Sequence, residues 1–190
     1  MSNKFKKLDS KNAIVSDYLQ ESLRIAEFQI SLKREIHDVY KVIIESLNSG
    51  GKILLCGNGG SASDSQHIAA ELINRFKINR FPIPAIALTT DTSIITSIAN
   101  DYGYELVFSK QIQALGKEGD ILIAISTSGK SKNILSALKI AKGIGMRTVS
   151  FTGENFDSVK PDSDMVISIP SKETGVVQQS HITLLQVICG

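Results

Sequence analysis

Residues 56–71, Cys56-Gly-Asn-Gly-Gly-Ser-Ala-Ser-Asp-Ser-Gln-His-Ile-Ala-Ala-Glu71, decide how the rest of the chain is read. The run before them, Lys52 to Cys56, is apolar and of the length of a buried strand. Gly57-Asn58-Gly59-Gly60 then makes a turn that tolerates positive φ and lets backbone come close to a ligand. Ser61 is placed to N-cap the next helix, with Asp64 in the capping-box position. Ile68, Ala69, Leu72, Ile73 and Phe76 recur at helical spacing, which predicts a helix to about Arg75. Strand, glycine turn and helix N-terminus together favour an anion, because unpaired N–H groups point outward there. His67 and Glu71 follow at i and i+4, on one face of that helix.

Working outward, Ile53–Cys56, Ala85–Leu88, Asp120–Ile125, Thr148–Phe151 and Met165–Ile169 read as strands. Helical segments fall between them near 61–75, 93–99, 104–115, 131–143 and 156–160, and a last helix covers Thr174–Gly190. Repeated β-α-β with apolar strands predicts a parallel α/β sheet covered by helices on both faces. Ligands in such folds sit at the carboxyl ends of the strands. Before the first strand, residues from about Lys11 to Asn48 carry two apolar stripes. One is Ile14, Tyr18, Leu19, Leu23, Ile25 and Phe28; the other is Ile36, Val39, Tyr40, Ile43, Ile44 and Leu47. Two helices there cannot be sheet crossovers, so they pack outside the sheet, in part against another subunit. Residues 1–190 therefore form one domain, with N-terminal helices over 1–49 and the α/β core and final helix over 50–190.

Net charge is +2, from 21 basic and 19 acidic residues spread along the chain, which gives no case for nucleic acid. The one basic cluster is Lys4, Lys6 and Lys7, read as a solvated tail. Cys56 and Cys189 sit in apolar runs as small core residues rather than disulfide partners. No leader of secretory type and no apolar run of membrane-spanning length is present, so the expected compartment is the cytoplasm, with no membrane partner.

A second stretch bears chemistry. Gly119-Asp-Ile-Leu-Ile-Ala-Ile-Ser-Thr-Ser-Gly-Lys-Ser131 is a strand followed by a loop of hydroxyls. Ser126, Thr127, Ser128 and Ser131 can donate hydrogen bonds, and the next helix adds N–H groups and the positive end of its dipole. A phosphate monoester fits such a loop; a loop that merely caps the helix is the alternative. Neither the Walker spacing nor a G-x-G-x-x-G turn occurs, so ATP and dinucleotides are poorly supported. For His67 and Glu71 the alternatives are a helix-surface contact, an acid/base pair, or two of four zinc ligands. Asn100-Asp101-Tyr102-Gly103 has turn chemistry and also reads as a simple helix stop.

Taken together, CGNGGSASDSQHIAAEL, TTDTS, NDYG and GDILIAISTSGKSKN resemble the phosphoheptose isomerase family, within the sugar isomerase (SIS) fold. The resemblance spans nearly the whole chain and is densest from Gly50 to Gly153. It implies a five-stranded parallel sheet flanked by helices, a homotetramer with sites between subunits, and a phosphorylated heptose as substrate. By the same resemblance Asn58, Gly59, Gly60, Ser61, Asn100 and Asp101 contact the sugar, with Gln178. Ser126, Thr127, Ser128 and Ser131 hold the phosphate. Glu71, with His67, moves a proton between C1 and C2 through an enediol, for bacterial surface-heptose (lipopolysaccharide) synthesis. One zinc ion per subunit is implied, held by His67, Glu71, Gln178 and the residue at position 186.

Position 186 departs from the pattern. The family carries a histidine there, eight residues after the glutamine and on the same helix face, as metal ligand and partner acid/base. Here it is Gln186, whose amide transfers no proton and binds zinc weakly compared with imidazole. The segment Thr174-Gly-Val-Val-Gln178 lacks the family's arginine, and His181 points to another side of the helix. The chain also ends at Gly190, short of the family's usual last helix, which implies that part of the natural C-terminus is absent. The alternatives to an isomerase are a non-catalytic SIS module that binds a protein partner, of the replication initiator-associating type, and a sugar-phosphate sensor.

Overall fold

The computed structural model describes residues 9–190; the Lys4, Lys6 and Lys7 cluster lies outside them. Five strands, β1 (Ile53–Gly57), β2 (Ala85–Ala87), β3 (Ile121–Ser126), β4 (Arg147–Thr152) and β5 (Met165–Ser168), form one sheet in the order β2-β1-β3-β4-β5. Every pairing is parallel. The strands alternate between two apolar cores because successive side chains point to opposite faces. Ile53, Leu55, Ile121, Ile123 and Ile125 meet α1 (Asp9–Gln29), α2 (Lys33–Asn48), α3 (Gly60–Ile73) and α7 (Thr174–Cys189) on one face. Leu54, Cys56, Leu122 and Ala124 meet α4 (Thr92–Tyr102), α5 (Ser109–Leu115) and α6 (Lys132–Ile144) on the other. Both cysteines are free and buried, as their apolar context implied.

Chain order reverses direction across the sheet between β1 and β3, the point where doubly wound folds open a crevice. Register sets the two chemical stretches side by side there. Gly57 pairs with Ile125, so the glycine turn and the hydroxyl loop leave the sheet as neighbours.

Three local expectations need correction. Ser61 is not the N-cap of α3: the helix starts at Gly60, Gly59 occupies the cap, and no side chain caps it. With φ +56° and ψ −120°, Gly59 reverses the chain in a region closed to most residues, which brings the helix in earlier than a serine cap allows. The segment near 156–160 is a turn leading into a 3-10 helix at Lys160–Asp162, started by Pro161. The helix expected over 104–115 is divided into a 3-10 turn at Tyr104–Leu106 and α5.

α2 packs on the core through Ile36, Val39 and Ile43, whereas α1 leans on it by a narrow edge. Ile25 of α1 is buried, whereas Ile14, Val15, Leu19 and Leu23 face solvent. Glu21 ties α1 to the loop before α7, accepting from Ser171 Oγ at 2.6 Å and from Arg24 Nε at 2.7 Å. Tyr18 packs its hydroxyl over Gly175 at the start of α7, where any Cβ would meet it.

At the opposite edge of the sheet, buried Asp120 clamps the entries to β1 and β3. Its carboxylate accepts from the backbone N–H of Lys52 and of Lys117, each at 2.9 Å, and pairs with the Lys52 ammonium. Asp120→Ala leaves those two N–H groups without acceptors, so the expected loss is about 2–4 kcal/mol of unfolding free energy. Urea denaturation measures it as a lower midpoint at unchanged m value.

Candidate functional site

The crevice is built from the end of β1 downward along α3. Asn58, in the glycine turn, exchanges amide hydrogen bonds with Asn133 of α6: Asn58 Nδ2 donates to Asn133 Oδ1 at 2.9 Å, and Asn133 Nδ2 donates to Asn58 Oδ1 at 2.8 Å. The Tyr104 hydroxyl donates to the same Asn58 oxygen at 3.0 Å. Asn133 is buried, so this pair fixes the turn to the N-terminus of α6. A hollow of about 300 Å³ is lined by Asn58, Tyr104, Glu105, Ser131, Lys132 and Asn133. Sequence reasoning gives no site role to Tyr104, which follows the NDYG turn, or to Asn133, which closes the stretch GDILIAISTSGKSKN.

In the second loop Ser126 Oγ donates to Ser131 Oγ at 3.2 Å, and Ser128 Oγ accepts from the Lys130 N–H at 3.2 Å. Ser131 sits at the N-cap of α6 with extended backbone, yet makes no side-chain cap hydrogen bond. Its hydroxyl is turned to the loop instead, which weakens the alternative of a loop that only caps its helix. Thr127 and Ser128 also border a cavity of about 220 Å³ reaching Asn155, Lys172 and Thr174. The site thus gathers hydroxyls and a helix N-terminus around an opening with few fixed cations.

Glu71 lies further along α3, in contact with α7. Its Oε1 meets His67 Nε2 at 2.8 Å and accepts from Gln186 Nε2 at 3.3 Å. The His67 side chain is 50 % exposed and that of Glu71 only 13 %. Glu71 Oε2 is buried with no hydrogen-bond partner, and so is one oxygen of Asp64, Oδ2. Burial raises the Asp64 carboxyl, and neighbouring His67 opposes that. Asp64, His67 and Glu71 stand at i, i+3 and i+7 on one face of α3. That spacing is the signal that places Asp64 with the pair rather than in a cap. The Cys189 thiol lies beside Glu71, and burial together with that carboxylate pushes it up to about 12.

No hydrogen bond joins Gln178 to His67 or Glu71 among the described residues. The Gln178 amide rests against Gly60, so closely that a Cβ there would collide with it. Along α3, Gly60 and Glu71 are separated by about 16 Å at 1.5 Å per residue. Asn100 and Asp101 stay exposed at the end of α4, with Asn100 Nδ2 donating to Asp101 Oδ1 at 2.8 Å. Of the four zinc donors implied by the resemblance, Gln178 lies at the turn, Gln186 donates to Glu71, and only His67 and Glu71 are strong ligands. Among the described residues no group of three or more His, Cys, Asp and Glu converges as a metal would require. Only position 186 departs from the implied set, and there an amide stands in place of imidazole, a weaker donor to zinc.

His181 is the remaining histidine of α7, and it faces the core. Fully buried, it meets the Thr152 carbonyl through Nε2 at 3.0 Å and the Phe151 ring edge-on. Burial pulls it down to about 4.

The SIS domain family matches residues 17–153. The chain is 51 % identical over 176 residues to a phosphoheptose isomerase of Maridesulfovibrio salexigens, covering 92 % of this chain and 86 % of that protein. It is 50 % identical over 171 residues to one from Helicobacter pylori, covering 90 % and 86 %. The solved phosphoheptose isomerase of Neisseria gonorrhoeae superposes with a TM-score of 0.86 at 38 % identity, covering 94 % of this chain and 96 % of that one.

The buried imidazole gives a pH test. An unfolded histidine takes its proton near 6.5, whereas folded His181 does so near 4. The unfolded state thus binds more protons in that window. Stability is full above pH 6.5 and falls as the pH drops towards 4, by on the order of 3 kcal/mol. Denaturation midpoints taken at steps of pH should show that slope in the parent and its loss in His181→Gln.

Proposed function

This chain belongs to the phosphoheptose isomerases of the SIS domain family, and from that membership we infer an aldose–ketose isomerase that converts sedoheptulose 7-phosphate to D-glycero-D-manno-heptose 7-phosphate. The observation that carries the mechanism is the state of Glu71. One carboxylate oxygen is engaged by His67 and Gln186; the other is buried and unpaired by any nitrogen or oxygen donor, with the Cys189 thiol beside the carboxylate. Such a partly desolvated carboxylate oxygen suits removal of a carbon-bound proton.

Ser126, Thr127, Ser128 and Ser131 hold the phosphate with the N-terminus of α6, which leaves the open-chain sugar to run past the glycine turn towards α3. Asn58, Gly59, Gly60 and Ser61, with Gln178 above them, hold the sugar hydroxyls; Asn100 and Asp101 complete the contacts. Glu71 takes the proton from C1 of the ketose, and an enediol forms as the C2 oxygen is protonated. Return of the carbon proton at C2, with loss of the proton on O1, gives the aldose. His67, on the same carboxylate, carries the hydroxyl proton.

A homotetramer is part of this reading, supported by the unburied apolar row Ile14, Val15, Leu19 and Leu23 and by Phe81, which is 93 % exposed. No helix among the described residues is long and apolar enough to cross a membrane. Cytoplasmic action on a phosphorylated metabolite, feeding bacterial surface-heptose synthesis, agrees with that and with two free cysteines. A partner-binding module or a sensor is not favoured, because relatives half identical to this chain are isomerases.

Glu71→Gln should lower turnover by about 10²–10⁴-fold, the usual share of a general acid/base group. Binding of sedoheptulose 7-phosphate, followed by calorimetry, should persist. Turnover at the parent rate would remove Glu71 from the role given it here.

A further inference from the structure

Glu71 is the one group of the crevice that must be both reactive and fixed, and the fixing falls to two neighbours. His67 holds Oε1 from within α3, at 2.8 Å, and is half exposed. Gln186 holds the same oxygen from α7, at 3.3 Å, and is partly buried. Donation to Oε1 from two helices holds the carboxylate, while Oε2 is buried without a hydrogen-bond partner. A metal ion would need Oε1 or Oε2, the imidazole nitrogen and two further donors at once. Gln186 instead presents N–H to the carboxylate, and the Gln178 amide lies against Gly60, at the opposite end of α3 from Glu71.

We propose that Gln186 is a positioning residue, orienting Glu71 through its amide N–H in place of a resident zinc ion, and that this isomerase works without one. The inference rests on the isomerase reading. In the step it serves, the proton moves from C1 to Glu71 and on to C2, while Gln186 neither gains nor loses a proton. The amide contributes a fixed, uncharged donor whose effect does not depend on metal supply.

The test uses the full chain grown with added zinc and purified without chelator. Elemental analysis should find far less than one zinc per subunit, and a chelator should leave turnover of sedoheptulose 7-phosphate unchanged. Gln186→Leu should lower kcat by about tenfold or more, the scale of one hydrogen bond to a charged group, with KM little moved. If the leucine variant does not fold, Gln186→Met, of similar shape and without the donor, takes its place. Gln186→His should restore kcat and raise zinc occupancy above the parent. About one zinc per subunit in the parent, removed by chelator together with activity, overturns the proposal. So does a parent-like kcat in the leucine or methionine variant. Absence of turnover in every form counts against the isomerase reading, and the zinc content of parent against Gln186→His still decides the metal question: equal, stoichiometric zinc in both overturns the proposal.

Discussion

Parallel pairing of β1 with β3 is the constraint on which the rest depends. The two strands are separated by more than sixty residues, and their five paired positions, from Ile53 with Ile121 to Gly57 with Ile125, bring two distant loops to one edge. Hydrogen bonding and alternation hold that register: a slip of one residue would turn Leu54 and Cys56 into the wrong core. Both strands are buried along their whole length, which removes any solvent-facing alternative. The crevice is therefore a by-product of core packing, and its floor is as rigid as the sheet.

On that floor the chemistry is divided between two kinds of support. At the turn and the hydroxyl loop, neutral groups meet neutral groups: the Asn58–Asn133 amide exchange, the Tyr104 hydroxyl, the Ser126–Ser131 contact. These fix shape without fixing charge. Along α3 the groups are ionisable, and two carboxyl oxygens, one each on Asp64 and Glu71, are buried without partners. Buried polar atoms are ordinarily satisfied, so these two oxygens, side by side with His67 on α3, stand out.

Much of this is legible in the residues. β1 and β3 are readable as short, nearly unbroken apolar runs and β4 by its buried Val149 and Phe151, and their observed limits differ from the reading by a residue or so. The glycine turn and the hydroxyl loop are readable for the opposite reason, their small polar side chains between apolar runs. The features that escape such reading are decided by tertiary contact. Ser61 has every local mark of a cap, but Gly59 adopts a backbone shape that starts the helix sooner and leaves the serine buried inside it. Asp64 has the spacing of a partner in that same cap and instead faces the crevice side of α3. Gln186 reads as the loss of an acid/base partner, and only the packing of α3 on α7 reveals that its amide still reaches Glu71. The stripe on α1 is plain in the sequence, but which of its residues are buried depends on how the helix leans on α7.

The amide of Gln178 lies against Gly60, and that of Gln186 against Glu71, while between and behind them Val177, His181, Leu184 and Leu185 fill the core. α7 thus leaves the stripe of Gln179, Thr183 and Val187 to solvent, and it cannot turn about its own axis without burying that stripe. One residue inserted or deleted ahead of Gln178 would rotate everything after it by about 100°. That would drive both amides inward and swing buried leucines into the crevice. Length changes in the loop between β5 and α7 leave the phase of the helix alone; it is within the helix, from Thr174 on, that they do not. Exchange of side chains is consequently the freer route for this helix to vary, and the glutamine at 186 is a change of that kind.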